Sequence, residues 1–245
     1  MRTLVAIPVY NEEKYVTQVL REVRKYAEHI LVVDDGSTDQ TPMLLAQQKV
    51  DVIRHAENRG YGRSIRDAFR YAQCYCYDWL ITMDCDEQHE PRSLPDFDKA
   101  IEADDADVLS GSRYLDPAYS GDPPPPDRRA INLEVSKWVN EHLDLHITDS
   151  FCGYKAYRVS KLKHLNLNED GYAIPLQFWV QAAAHQLRVK EVPIRLIYND
   201  PNRSFGGKLD DPEHRIAHYR EVFDAELEKY ADKLAAKSPC SCPGR

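Results

Sequence analysis

Trp79-Leu80-Ile81-Thr82-Met83 runs without a break into Asp84-Cys85-Asp86. A short unbroken apolar run of this kind reads as a buried strand. Residues i and i+2 of a strand point to the same side. As the strand runs out, Asp84 and Asp86 therefore converge, with Cys85 between them. Two hard carboxylate donors at a strand end suit Mg²⁺ or Mn²⁺, ions that commonly also hold substrate phosphates. Gln88 and His89 follow and could complete the shell. A D-x-D triplet alone is short enough to occur in loops by chance, so its weight depends on what surrounds it.

Outward from that strand the same grammar repeats. Thr3–Pro8, Ile30–Asp34, Val50–His55 and Val108–Ser112 are further strand candidates. Glu12–Tyr26, Asp39–Gln48, Gly62–Tyr75 and Arg92–Ala103 carry apolar residues three or four apart, as a helix with one buried face requires. Alternation of this kind predicts βαβ units, hence a mostly parallel, Rossmann-like α/β sheet flanked by helices. Ligands of such sheets bind beyond the carboxyl ends of the strands. Four chemically loaded stretches follow four of the strands: Tyr10-Asn11-Glu12, Asp34-Asp35, Asn58-Arg59-Gly60 and Asp84-Cys85-Asp86.

The pattern changes after Tyr114. Four consecutive prolines, Pro123–Pro126, precede a helix expected over Arg128–Leu143. A helix over Pro175–His185, a strand over Leu187–Tyr198 and a charged helix over Glu213–Ala236 follow. The expected organisation is one domain over 1–236. It has a nucleotide-binding half (1–114), an acceptor-side extension (115–211) built onto the same sheet, and a C-terminal helix (212–236). That helix would pack on the domain or join two copies as a homodimer. Residues 237–245, with Cys240 and Cys242, read as a disordered tail.

The chain has 245 residues, 42% of them hydrophobic and 29% charged, within the range of one soluble α/β domain. Its net charge of −8 argues against nucleic acid as the main partner, since a phosphate backbone needs a basic face. No apolar run approaches the roughly 20 residues that span a bilayer. Leu4-Val5-Ala6-Ile7 lacks the length and cleavage site of a signal peptide. A cytoplasmic location is expected. Six scattered cysteines do not form a disulfide framework, and Cys74 and Cys76 read as core or partly buried thiols.

Each motif has a plainer explanation to set beside the functional one. Helix capping accounts for Gly36, Ser37 and Gln40 but not for adjacent, mutually repelling carboxylates at Asp34 and Asp35. Those oxygens can accept hydrogen bonds from a base edge or a ribose. In Asn58-Arg59-Gly60-Tyr61-Gly62 the glycines would let amides approach an anion, with Arg59, Arg63 and Arg66 in reach of phosphate. A solvated surface loop looks the same. Asp149 is by default a cap, Arg128-Arg129 a solvated pair, and the Gly-containing loop with Arg203 and Lys208 an ordinary surface loop. Cations in such a loop also suit a lid closing over phosphate.

Taken in order, Ile7–Glu12, Val32–Asp39, Asn58–Gly60, Met83–Pro91 and Gly111–Tyr114 resemble family-2 glycosyltransferases of the GT-A fold. The resemblance runs from about Thr3 to Lys208, and the nearest branch is the dolichyl/polyprenyl-phosphate mannose or glucose synthases. It implies a hexosyltransferase using a nucleoside-diphosphate sugar of the GDP-mannose or UDP-glucose type. Pro8, Tyr10, Asn11, Glu12 and Asp35 would surround the nucleoside, with Asn58 through Gly62 and Arg66 along its base and phosphate side. Asp84, Asp86 and Gln88 would bind the metal. A polyprenyl-phosphate acceptor, met at the inner membrane face, would be positioned by Arg128, Arg129, Arg203 and Lys208. A hydroxyl acceptor would instead need a base, for which Asp149 is the candidate. A nucleotidyltransferase would need a basic Gly-rich loop after the first strand, where this chain has the acidic Tyr10-Asn11-Glu12-Glu13. A non-catalytic sugar-nucleotide-binding protein is the remaining alternative.

Overall fold

The computed structural model describes residues 1–85, 89–119, 121, 123–197 and 207–236. Strands β1 (Thr3–Val9), β2 (His29–Asp34), β3 (Asp51–Arg54) and β4 (Trp79–Thr82) alternate with helices α1 (Val16–Val23), α2 (Thr41–Leu45) and α3 (Tyr61–Cys74). Then come α4 (Leu94–Glu102), β5 (Val108–Ser112), α5 (Pro126–Leu143), β6 (Lys155–Arg158), α6 (Val159–Leu162), α7 (Ile174–Ala184), β7 (Val189–Pro193), α8 (Pro212–Lys229) and α9 (Ala231–Ala235).

The strands form one seven-stranded sheet in the order β3-β2-β1-β4-β6-β5-β7. Adjacent strands among β3, β2, β1 and β4 are parallel, so all four carboxyl ends lie along one edge. This is the mostly parallel architecture that the strand–helix alternation predicts. β1 and β4 sit centrally and are apolar on both faces, as a sheet covered on both sides demands. The two-residue period divides β1 between two cores. Leu4 and Ala6 face α3, α5, α7 and α8, whereas Val5, Ile7 and Val9 face α1 and α4. In α1 the buried positions Val16, Val19, Leu20 and Val23 are the stripe legible in the sequence.

Several expectations need correction. β6 was not visible in the sequence. Lys-Ala-Tyr-Arg has too little apolar length to announce a strand, yet it inserts antiparallel between β4 and β5. Its register pairs Lys155 with Thr82 on one side and Ser110 on the other. The expected C-terminal helix is two, parted at Tyr230, whose ring packs 6.0 Å from His185. Ser37 does not cap α2, which starts only at Thr41. Its hydroxyl accepts from the Asn11 amide (3.0 Å). Cys74 and Cys76 are exposed, not core thiols. Cys240 and Cys242 lie outside the described residues, as does the segment 198–206.

Candidate active site

One cavity of about 980 Å³ opens at the carboxyl edge of the sheet. Pro8, Tyr10, Asn11, Glu12, Asp35, Asn58 and Gly60, from the loops after β1, β2 and β3, line one end. β4 lies between these strands and β6, so Asp84 and Cys85 stand at the boundary. Arg113, Arg128, Asn132, Lys155 and Arg215 line the other half.

The first end is held together by side chain-to-backbone bonds. Asn11, in the left-handed region at φ 55°, accepts from the amides of Thr38 (2.8 Å) and Asp39 (3.3 Å). The Glu12 amide donates to Thr41 Oγ1 (2.9 Å). The loops after β1 and β2 are thereby tied into one wall. Asp35 accepts from the amides of Arg59 and Gly60, both at 2.8 Å, and its Oδ1 lies 2.6 Å from His55 Nδ1. Its buried carboxylate thus holds the Asn58–Gly60 loop in place. Asp34 is wholly buried and does not line the cavity. Its Oδ1 takes the Ser37 amide at 2.9 Å, and Arg54 Nε lies 3.3 Å from Oδ2.

The loop after β3 differs from the anion cradle that its glycines suggest. Gly60 (φ 100°) and Gly62 are glycines because the backbone of residues 169–171 crosses them, and a Cβ at either would strike it. The Arg63 amide at the start of α3 donates to the Asp170 carbonyl (3.2 Å). Arg63 pairs with Asp67 (2.7 Å), Arg66 pairs with Asp170, and neither they nor Arg59 line the cavity. Arg63 and Arg66 brace α3 instead of reaching into the cavity.

Asp84 suits a divalent cation. Its carboxylate is a hard donor, its side chain is 31% exposed, and it faces the cavity. Its amide donates to His89 Nδ1 (2.9 Å). Gly153 comes so close that a Cβ there would lie 2.7 Å and 2.9 Å from the two carboxylate oxygens and 2.9 Å from Tyr61 Oη. Burial, then the Asp84 charge, raise the Tyr61 hydroxyl well above its ordinary value, so it serves as a hydrogen-bond donor. Among the described residues no three His, Cys, Asp or Glu side chains gather as a metal cluster. Asp86 and Gln88 lie outside them.

The base role expected for Asp149 is not supported by its surroundings. The carboxylate is wholly buried and does not line the cavity. It accepts from Arg113 Nε (2.6 Å) and Nη2 (2.8 Å) and from Asn132 Nδ2 (2.7 Å). Burial would push its pKa up, but the Arg113 charge and these bonds outweigh it and hold the carboxyl well below the usual range. A carboxylate so stabilised has little affinity for a proton. Glu191 of β7 accepts the amides of Thr148 (2.8 Å) and Asp149 (3.1 Å), fixing the turn that carries it.

The cations expected to hold an acceptor are scattered. Arg128 lines the cavity, whereas the Arg129 guanidinium stacks 3.6 Å over the Tyr114 ring. Lys208 is exposed in a short turn before α8, and Arg203 lies outside the described residues. Sequence reading missed Lys155 because it missed β6, and it offered no signal for Arg215. Arg215 is buried, pairs with Asp127 (2.9 Å) and lines the cavity. Arg113 stands in the Gly111–Tyr114 stretch, where sequence alone assigns it no role. Burial lowers the Lys155 ammonium from its ordinary value, partly offset by Cys152 and Asp149. Burial pushes the Cys152 thiol up to about 12, which makes it inert as a nucleophile.

Residues 4–165 match the family described as Glycosyl transferase family 2. The chain is 30% identical over 214 residues to undecaprenyl-phosphate mannosyltransferase from Micrococcus luteus, covering 83% of this chain and 87% of that protein. It is 31% identical over 204 residues to polyprenol monophosphomannose synthase from Mycolicibacterium smegmatis, covering 79% and 76%. In fold it resembles glucosyl-3-phosphoglycerate synthase from Mycobacterium tuberculosis, a structure in complex with Mn²⁺, UDP and glucosyl-3-phosphoglycerate. The TM-score is 0.67 at 15% identity, over 94% of this chain and 80% of that one.

Proposed function

Because the chain belongs to glycosyl transferase family 2, with its GT-A sheet, we propose that it transfers a hexose from a nucleoside-diphosphate sugar to a polyprenyl phosphate, with inversion. The observation that carries the acceptor class is the Asp149–Arg113 pair. A hydroxyl acceptor must lose a proton as it attacks. Asp149, the candidate to take it, is buried and saturated. A phosphate monoester arrives as an anion and needs no such help. One of its oxygens bonds to the anomeric carbon as the bond from that carbon to the diphosphate breaks. The nucleoside diphosphate departs with the electron pair, and no proton moves.

The relatives named for undecaprenyl phosphate and polyprenol support this acceptor, and the neighbour holding UDP and Mn²⁺ supports the donor class. Pro8, Tyr10, Asn11, Glu12 and the loop held by Asp35 would enclose the nucleoside. Asp84, with Asp86 and Gln88 beyond it, would hold Mg²⁺ or Mn²⁺, which when bound supplies Lewis-acid neutralisation of the leaving diphosphate. Arg128, which lines the cavity, would balance the acceptor's charge, with Arg203 and Lys208 from later in the chain as further candidates. No helix of the described residues is long and apolar enough to cross a membrane. The acceptor would be met peripherally, at a membrane surface.

The test incubates the full chain with undecaprenyl phosphate in detergent and radiolabelled GDP-mannose or UDP-glucose, with Mn²⁺ or with EDTA. Label should enter the organic phase with one donor and only with the metal. Label that stays aqueous with every donor would overturn the assignment.

A further inference from the structure

The cavity does not end on its polar floor. Beyond Lys155 its wall continues through Tyr157, Phe69, Ile65, Ile174 and Phe178, residues of β6, α3 and α7 that belong to the core. Protein interiors are close-packed, and a dry apolar void costs stability unless something fills it. A sugar does not suit this chamber. Phe69, Ile65, Ile174 and Phe178 offer no partner to its hydroxyls, and the Tyr157 hydroxyl is engaged with Thr82.

Lys155 stands at the chamber's entrance. It is 3% exposed and donates a hydrogen bond to the Cys152 carbonyl. An ammonium has three donors. No carboxylate of the described residues lies in ion-pair contact with it, and the Trp179 ring is 5.3 Å from its Nζ. The charges of Asp149 and Asp84 reach the ammonium without touching it, and a buried ammonium with donors to spare, lining a cavity, suits an anion there.

Strand geometry sets the order of the parts. Gly153 lies against Asp84, and Lys155 and Tyr157 follow it at two-residue steps, all three lining the cavity. Alternate residues of a strand share a face about 7 Å apart. One line of residues thus presents, in sequence, the boundary with the donor end, a buried cation and an apolar wall. We infer that Lys155 and the chamber between α3 and α7 form the acceptor's head site, with Lys155 binding a phosphate monoester and the chamber taking its first isoprene units. The remainder of a long chain leaves past Tyr172, which lines the cavity and is 38% exposed. This inference rests on the acceptor class proposed above.

The experiment compares methyl phosphate, geranyl phosphate and geraniol as acceptors with the full chain, donor and Mn²⁺, beside undecaprenyl phosphate in detergent. Geranyl phosphate should half-saturate at a concentration at least tenfold below methyl phosphate, and geraniol should accept nothing. Lys155→Met should raise the KM for geranyl phosphate tenfold or more, and Lys155→Arg should recover most of that. The Kd for the nucleotide, measured by calorimetry, should stay within twofold in both variants, which also shows that they fold. Ile174→Trp, which fills the chamber, should weaken geranyl phosphate but not methyl phosphate. Equal use of methyl and geranyl phosphate would overturn the inference, as would a Lys155→Met defect falling equally on nucleotide. Transfer to undecaprenyl phosphate with none to geranyl phosphate would overturn it while leaving the proposed function intact. Transfer to geraniol or another alcohol, with none to any prenyl phosphate, would overturn both.

Discussion

His55 Nδ1 lies 2.6 Å from Asp35 Oδ1, and this contact links the body of α3 to the end of the cavity that Asp35 lines. The other ring nitrogen is 3.0 Å from Asp67 on α3, and Asp67 also accepts from Arg63 (2.7 Å). Asp35 in turn holds the amides of Arg59 and Gly60. His55 therefore acts on a ligand only through Asp35, by keeping its carboxylate turned toward the loop. Losing a buried hydrogen bond to a charged group costs about 1–3 kcal/mol. His55→Ala should weaken binding of the preferred nucleoside diphosphate about tenfold in calorimetry, with the acceptor KM within twofold. His55→Asn, which can still reach Asp35, should recover part of the loss. An unchanged nucleotide Kd in His55→Ala would show that the loop holds its shape unaided.

Gly153→Ala tests the close approach to Asp84. The new methyl would meet the ends of two side chains, Asp84 and Tyr61, at 2.7–2.9 Å. Side chains can swing aside, so the fold should survive with a melting temperature within about 3 °C of wild type, on the scale of 1 kcal/mol for a chain this size. The displaced carboxylate should lower Mn²⁺-supported turnover by about 10–100-fold, as misplaced catalytic groups do. Normal turnover in the alanine variant would mean that Asp84 is not needed where it stands.

Asp149→Asn removes half of a buried ion pair and leaves the Arg113 guanidinium uncompensated. Breaking such a pair costs about 3–5 kcal/mol, and an isosteric amide should bring the cost to the lower end of that range. Urea denaturation should show the loss directly. Wild-type kcat should also lack an ascending limb from Asp149 between pH 5 and 8, because Arg113 keeps that carboxyl ionised far below this window. A stable Asp149→Asn enzyme with abolished turnover would restore the base reading.

Asp107, 3% exposed just before β5, should give the fold an acid-labile contribution. Burial raises its pKa, but hydrogen bonds from Arg188 and the charge of Lys161 outweigh that and bring it from 3.8 to about 2. The folded state therefore keeps the charge to lower pH than the unfolded chain does. The stabilisation is full above about pH 5 and is lost as pH falls through 4 toward 2. Asp107→Asn should cost roughly 1–2 kcal/mol at pH 7, discounted for the exposed Arg188. The gap from wild type should be constant between pH 7 and 5 and should narrow below 4. A gap that widens on acidification would contradict this sign.

The parallel half of the fold was readable because its signals are local. The apolar run of β1, the stripe Val16, Val19, Leu20 and Val23, and loaded loops after each strand depend only on neighbours along the chain. They determined that four loops meet at one sheet edge, and hence where a site would be. The role of each polar residue was not local. Asp35 and Asp149 look alike in sequence as carboxylates near a glycine. One braces a loop through partners 20 to 25 positions away, and the other is neutralised by an arginine 36 positions away. Lys155 became legible only once β6 paired with β4 and β5, because antiparallel insertion is a property of the sheet and not of Lys-Ala-Tyr-Arg. Short-range periodicity dictates which segments become strands and helices. Burial and counter-charge, which decide whether a side chain braces the fold or faces a ligand, arise only when distant segments meet.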